Sequence, residues 1–408
     1  MFTVWYYDQL HWLRVEKFFQ RDSKSMKKEV FAIYFPSWHP DGHYEKWYGK
    51  GFCEWELVKT TKPLFAAHKQ PRVPSWGYFD ESDPEMMKRQ IDLAAGSGIT
   101  GFLFDWFWYN GVEFLERPLN EAFLNSPNRN RLKFALMWAN HNWGIWPALD
   151  QGVRGMNGNE NQASCEPFLK TFHSEEDLRH VMEYCCEKYF KCENYWKING
   201  KPVYSFYSCN RLFQSIEPAD VLRICNETVQ KHGFPGIYTL MNIGCCNDNE
   251  YFCGWGRIPK IRDAGFDSVF AYNSGVRSDY EKSVNPGEPT VDYAIMMRNQ
   301  RHCWEQIAAG GMSFFPSITL GMDVSPRWSR EVSYPWDYEK LGYYPIVVNN
   351  TPERIAELLK EALNFDTGAV IINAWNEWTE GMSLLPDNFD GSGRLDKIRE
   401  VLLSYNAR

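Results

Sequence analysis

Eight short apolar runs recur along the 408-residue chain, and the connections between them are lopsided. The runs are residues 30–35, 99–104, 133–137, 203–206, 236–241, 268–272, 313–318 and 369–372. Each is continuous rather than alternating, the pattern of a strand covered on both faces in a parallel sheet. The segments leading into them are short and glycine-punctuated: SGIT, NGKP, HGFPG, AGFDS, GGMS and DTGA. The segments leaving them are long, about residues 36–82, 144–172, 242–260, 273–290 and 319–350. Helix starts fall between the runs: Asp83-Pro84-Glu85, Ser174 with Asp177, and Thr351-Pro352-Glu353. A further helical stretch is expected near residues 116–124. Strand alternating with helix predicts an α/β protein, a single (β/α)8 TIM barrel whose long loops collect at the C-terminal face, where such barrels place their chemistry. The rival, a doubly wound sheet, would want a glycine-rich dinucleotide fingerprint after its first strand, and the chain has none there. With no repeat or Pro/Ser-rich linker, one catalytic barrel is expected over residues 26–408, after an N-terminal extension of residues 1–25.

Composition narrows the function. A net charge of −8 without a long basic run argues against a nucleic-acid surface. No apolar run approaches the length of a membrane span. The first residues mix aromatic and charged side chains without the basic-then-apolar order of a signal peptide, so a cytoplasmic protein is expected, with Met26 an alternative start. Eleven cysteines without metal spacing read as thiols in a reducing compartment. His39 and His43 are four apart, but Pro40 opposes the helix that would make them a ligand pair, and neither a metal nor another cofactor is expected. The 18 Trp, 22 Tyr and 27 Phe fill a core and also suit a carbohydrate cleft.

The chemically richest stretch follows the last run. Residues 369–387, AVIINAWNEWTEGMSLLPD, pass from an apolar strand to Trp375, Asn376, Glu377, Trp378 and Glu380 within a few residues. Two carboxylates serving one bond are what glycoside hydrolysis needs, a proton donor and a base or nucleophile. An indole beside each acid offers a wall that raises a carboxyl pKa and a face for a sugar ring. The plainer reading is a strand-end turn whose acids are solvated or paired with Arg or Lys. Other strand ends carry similar material. Trp38, His39, Glu54 and Trp55 follow the first strand; Asp105, Trp108, Tyr109 and Asn110 the second; Trp138, Asn140, Asn142 and Trp143 the third. Asp105 reads equally as an acid of the site or as a buried partner fixing a neighbour. Asn140 and Asn142 offer donors and acceptors to sugar hydroxyls, or are turn formers. Glu116 beside Arg117 reads as a structural ion pair. After the seventh strand, Asp323 and Arg327 are expected to pair, and either to brace the rim or to hold a polar group of the substrate.

NAWNEWTEG followed by Pro386-Asp387 resembles the C-terminal signature of the WbsX-like family, itself similar to the endo-α-mannosidases and endomannanases of glycoside hydrolase family 99. The resemblance extends to Tyr34-Phe35-Pro36, His39-Pro40, Gly51-Phe52-Cys53-Glu54-Trp55, Lys62-Pro63-Leu64-Phe65 and His68-Lys69-Gln70-Pro71-Arg72. It continues through Asn110-Gly111 and Leu115-Glu116-Arg117-Pro118-Leu119. Two motifs depart from the family: WANHNW has His141 where an acid is common, and GMDVSPR has Val324 for the usual Asn. The resemblance implies a retaining glycoside hydrolase acting on an α-linked oligosaccharide or polysaccharide. In it Glu377 is the base towards the sugar's own 2-hydroxyl, Glu380 is the general acid/base, and the pathway runs through a 1,2-anhydro sugar. The family's usual label implies instead a glycosyltransferase of lipopolysaccharide or other surface-polysaccharide synthesis, although the chain has no Asp-x-Asp pair suited to a metal-bound sugar nucleotide. A third possibility is a glycan-binding barrel without catalysis, against which both glutamates stand.

Overall fold

The eight apolar runs lie side by side in chain order, in a computed structural model that describes residues 28–144, 169–244, 254–275, 290–327 and 346–407. They are β1 Glu29–Tyr34, β2 Gly101–Tyr109, β3 Lys133–Trp138, β4 Lys201–Phe206, β5 Tyr238–Asn242, β6 Ser268–Phe270, β7 Ser317–Thr319 and β8 Ala369–Asn373. Hydrogen-bonded neighbours are parallel, and β8 returns beside β1 with Glu29 opposite Ala369 and Ala32 opposite Ile372. The remaining gap, β6 to β7, is closed by one parallel bridge, Val269 to Phe314. There Val269 N–H donates to Ser313 O at 3.1 Å and Phe315 N–H to Val269 O at 3.0 Å. The sheet is a closed (β/α)8 barrel. The seventh run was expected as strand over 313–318; Pro316, which has no N–H to give, splits it into that bridge and the short ladder 317–319.

The barrel interior tolerates no extra atom at Gly101. A Cβ there would lie 2.4 Å from the Phe31 ring and 2.7 Å from Lys133 O, so only glycine lets β1, β2 and β3 approach. Around the strands run α1 Gly42–Tyr48, α2 Trp55–Thr60, α3 Pro84–Gly96, α4 Glu175–Lys188, α5 Cys209–Ser215, α6 Pro218–Lys231, α7 Ile258–Asp263, α8 Tyr293–Ala309, α9 Pro352–Asn364 and α10 Gly393–Asn406. Local chemistry sets their starts. Asp83 caps α3 by accepting from Glu85 N–H, with Pro84 in the first turn. Ser174 and Asp177 form a reciprocal capping box on α4, and Thr351 caps α9 ahead of Pro352. In α3, Met87, Gln90, Ile91 and Ala94 repeat at helical spacing and form the face turned to the strands.

Two loops are more ordered than the apolar runs foretell. β2 does not stop at residue 104 but continues to Tyr109 and turns back as Val112–Phe114. Asn110 and Gly111, both at positive φ, supply the two-residue turn, and the aromatic run between Asp105 and Tyr109 suits a pleated strand. The stretch expected to be helical near 116–124 winds as a short π-helix, Pro118–Phe123. Residues 1–25 lie outside the described residues, as does much of the loops 144–172, 242–260, 273–290 and 319–350. Among the described residues no helix is long and apolar enough to cross a membrane.

Candidate functional site

The last strand delivers its acids through a tightly sewn turn. After β8, Asn376–Glu377 pairs antiparallel with Met382–Ser383, and the single 3-10 turn Trp378–Glu380 lies between them. The turn ends at Gly381, with φ +70° and a virtual Cβ only 2.9 Å from Asp323 Cβ, so a side chain there would push against the neighbouring loop. Asp323 N–H donates to Glu380 O at 2.8 Å, tying the two loops together. The side chain of Asn376 clamps the end of β1: its Oδ1 accepts from Phe35 N–H and its Nδ2 donates to Phe35 O, both at 2.8 Å. Trp375 is fully buried, its indole donating to Gln90 at 2.9 Å. These residues hold the turn in place and leave Glu377 and Glu380 facing the barrel mouth.

There a cavity of about 140 Å³ is lined by Asp105, Glu377, Glu380 and Arg327, with Phe35, Phe107, Ala139, His141, Trp143, Tyr207 and Tyr272. Arg327 organises its acids. Its Nη1 donates to Glu380 Oε1 at 2.5 Å and its Nη2 to Glu377 Oε1 at 3.1 Å, while Glu54 Oε2 stands 3.8 Å from the same nitrogen. The pairing of Arg327 with Asp323 expected from sequence does not form. Asp323 instead accepts from Gln70 Nε2 at 2.7 Å and lies 2.9 Å from His68 Nε2. The reason is geometric: three carboxylates converge on the guanidinium, whereas Asp323 faces the other way, towards a larger cavity of about 230 Å³ lined by His68, Lys69 and Arg72.

Burial dominates the electrostatics. It pushes the Glu377 carboxyl well above the ordinary range; Arg327 opposes the shift, and the charges of Glu380 and Glu54 add to it. Burial likewise raises Glu54, against Arg327 and the hydrogen bonds it shares with the Thr379, Ser37 and Tyr44 hydroxyls, and raises Asp105 well above its usual range with help from Glu380. Asp105 Oδ1 and Glu380 Oε2 have no hydrogen-bond partner among the described residues. Burial works against the Arg327 cation, yet the surrounding carboxylates push its pKa up. His141 is driven down by burial and is neutral at pH 7. At Asp323 burial disfavours the charge, but His68 and the hydrogen bonds from Ser325 and Gln70 hold the carboxyl well below the usual range.

The structure gathers some of the sequence candidates and disperses others. Asp105, Trp143, Arg327, Glu377 and Glu380 line the cavity, and Glu54 abuts it through Arg327. Trp38, Trp55 and Trp378 instead form a buried cluster of mutually tilted rings, with centroids 4.3 Å apart for the first pair and 5.6 Å for Trp55 and Trp378. Trp108 stacks on Trp106, and Trp138 donates its indole N–H to Trp108 O. Tyr109 is buried beside the hairpin, and Asn110 forms its exposed turn. Asn140 pins Ser208, accepting from its N–H at 2.7 Å and donating to its carbonyl at 2.9 Å; Asn142 accepts from Thr171 N–H. His39 is fully buried 3.6 Å from Glu81, and burial lowers its pKa to about 3. Sequence reasoning missed Thr379, whose hydroxyl lies 2.9 Å from both Glu54 Oε2 and Glu377 Oε1, and Glu81, a buried acid between Tyr34 and Asn376. Thr379 carried a signal, its place between the two glutamates. Glu81, Tyr207 and Tyr272 carried none.

The same groups predict how stability depends on pH. Glu81 and Asp105 are raised well above the carboxylate range and burial raises the Glu54–Glu377 pair, so the folded protein binds protons that the unfolded chain has released. A raised acid contributes stability that is complete below the unfolded pKa and is lost as pH rises through the folded one. Below about pH 6.5 the lowered histidines His39, His141 and His173 act in the opposite sense, because the unfolded chain protonates them first. Above that pH the raised carboxyls act in one sense, and from about pH 8.5 the buried thiols of Cys53 and Cys186, pushed up to about 12, act with them. The Tm is therefore expected to fall as pH rises from about 8 to about 10. Scanning calorimetry across that range checks it, and a Tm that is flat or rises would contradict the assignment.

Comparison with known proteins follows the geometry. The family model described as Glycosyltransferase WbsX matches residues 30–398. Two curated relatives, both described as uncharacterized protein WxcX and coming from two strains of Xanthomonas campestris pv. campestris, are 26% identical over 394 residues. The match covers 93% of this chain and 50% of each relative, so the chain spans about half the length of the curated relatives it matches. Among solved structures, the GH99 endo-alpha-mannosidase from Bacteroides thetaiotaomicron superposes with a TM-score of 0.53 at 13% identity, covering 94% of this chain and 99% of that one. A structure described as a glycoside hydrolase-like protein gives 0.56 at 13% identity, with 95% and 98% covered. At such identities the likeness is one of fold.

Proposed function

Because the chain belongs to the WbsX glycosyltransferase family, we propose that it is a carbohydrate-active enzyme, and that its cavity hydrolyses an α-linked glycan with retention of configuration. One observation carries the reading: Glu377 and Glu380 reach one cavity from one turn, each bonded to Arg327. Two acids held on one cation at a barrel mouth are equipped for a paired acid and base task. Glu377 is the base. Burial raises its carboxyl above the ordinary range, which makes it a stronger base, and Arg327 favours its ionised form. Glu380 is the acid/base. Its Oε2 has no hydrogen-bond partner among the described residues and is the atom that hands a proton to the leaving oxygen. With Glu377 drawing the proton from the sugar's 2-hydroxyl, that oxygen attacks the anomeric carbon as Glu380 protonates the departing group. Water then opens the anhydro sugar, with both protons moving back. Tyr207, Tyr272 and His141 supply hydroxyl and imidazole contacts, and Trp143 and Phe107 the apolar wall.

NMR of the first product formed from α-linked oligosaccharides tests this. The α-anomer is expected before mutarotation, and the β-anomer would overturn the mechanism. The family's description favours a second reading, transfer from an activated sugar. Turnover that requires a nucleotide sugar and is absent with glycan and water alone would decide for it.

A further inference from the structure

Thr379 poses a counting problem. Its hydroxyl oxygen lies 2.9 Å from Glu54 Oε2 and 2.9 Å from Glu377 Oε1, yet a hydroxyl has one proton to donate. If both acids were ionised, one of these contacts would set two bare lone pairs against each other between buried groups. Glu54 is fully buried and Glu377 nearly so. The contact is satisfied at both ends only when one acid carries a proton. That acid donates to Thr379, and Thr379 donates to the other. Arg327 decides which. Its Nη2 lies 3.1 Å from Glu377 and 3.8 Å from Glu54, so the charge is better placed on Glu377.

We propose that Glu54 and Glu377 share a single proton across the Thr379 hydroxyl, and that the proton rests on Glu54, so that Glu54 and Thr379 act as positioning residues keeping Glu377 ionised. The balance is simple. Glu54 Oε2–H donates to Thr379 Oγ1, and Thr379 Oγ1–H donates to Glu377 Oε1. A concerted shift along the same path would move the proton to Glu377 and leave Glu54 charged, with no change in total charge. Ser37 Oγ and Tyr44 OH, at 3.0 and 3.1 Å from Glu54 Oε1, fix the far side of that carboxyl. The other ionisable groups facing the pair are Arg327, Glu380, Tyr272 and, behind Glu54, Glu81. Two interacting buried carboxyls titrate as one unit, and burial raises both. The role of Glu377 as base rests on the hydrolase reading. The shared proton does not.

Infrared difference spectroscopy at neutral pH reads the proton without turnover, and subtraction cancels the signals of every other carboxyl. Glu54→Gln should remove one protonated-carboxyl band. A band that persists in this variant would place the proton on Glu377 and overturn the proposal. The second arm is the pH profile of kcat/KM. Thr379→Val takes a hydrogen bond from ionised Glu377, so the acid limb should move up by about one pH unit, the worth of one such bond. Thr379→Ser should restore it. A limb that stays put in Thr379→Val would reduce Thr379 to packing and overturn its role. If Thr379→Val fails to fold, the unmoved limb of Thr379→Ser and the Glu54→Gln spectrum decide together. If no glycan is cleaved by the wild type, the hydrolase reading falls while the infrared arm still judges the proton.

Discussion

Glu380→Gln is expected to lower kcat/KM on unactivated glycans by roughly 10²–10⁴-fold, the usual cost of losing one general acid. The same variant should cleave an aryl glycoside with a good leaving group far less impaired. The amide keeps an oxygen for Arg327, so the Nη1 contact survives while the proton to be donated does not. A nitrophenolate departs without that proton, which is why the defect should depend on the leaving group. Glu377→Gln removes the base instead, and no leaving group compensates for it. That variant should slow all substrates alike by a similar factor. Steady-state rates on a matched pair of substrates, with the Tm of each variant as a control for folding, check both. Equal losses for the two variants on both substrates would mean that the acids do not divide the work in this way.

The barrel was legible because its signal is redundant. Each strand is a continuous apolar run, and six of the eight are entered by a short glycine turn, so an error at one boundary left the count of eight intact. Where the reading slipped, a local rule outweighed the apolar pattern. Asp105 ended the second run on paper, but in the fold it is strand, because the Asn110-Gly111 turn draws the following aromatic residues into a hairpin. The acids of the last turn were equally legible, since strand, amides, indoles and glutamates are contiguous. Their partners were not. Arg327 lies within four residues of Asp323, and nearness in sequence suggested that pair, yet the loops place its guanidinium against Glu377 and Glu380, fifty or more residues away. The tryptophans show the same limit. Position after a strand does not say whether an indole faces solvent or the next layer, and Trp38, Trp55 and Trp378 pack on one another while Trp143 lines the cavity.

Arg327→Met should expose how much of the site depends on that one cation. The substitution keeps an apolar stem of similar reach and removes the guanidinium from between Glu377, Glu380 and Glu54. Breaking one partner out of a buried ion pair typically costs about 3–5 kcal/mol, because the remaining charge is left without compensation. Here the loss should depend on pH, and its sign follows from the carboxyls. Burial already raises Glu377 and Glu54, and Arg327 is the main force holding them down. Without it their folded pKa values climb further, so the acids take up protons and shed the charge that burial penalises. Acid conditions therefore hide the defect, and alkaline conditions reveal it. Urea unfolding of wild type and variant at about pH 5 and about pH 8 should show a small gap at the lower value and the full one at the higher. Activity should follow the same logic, with the acid limb of kcat/KM displaced upwards as Glu377 becomes harder to ionise. A stability gap that is the same at both pH values would mean that Arg327 acts through packing, and the electrostatic account of the cavity would have to be abandoned.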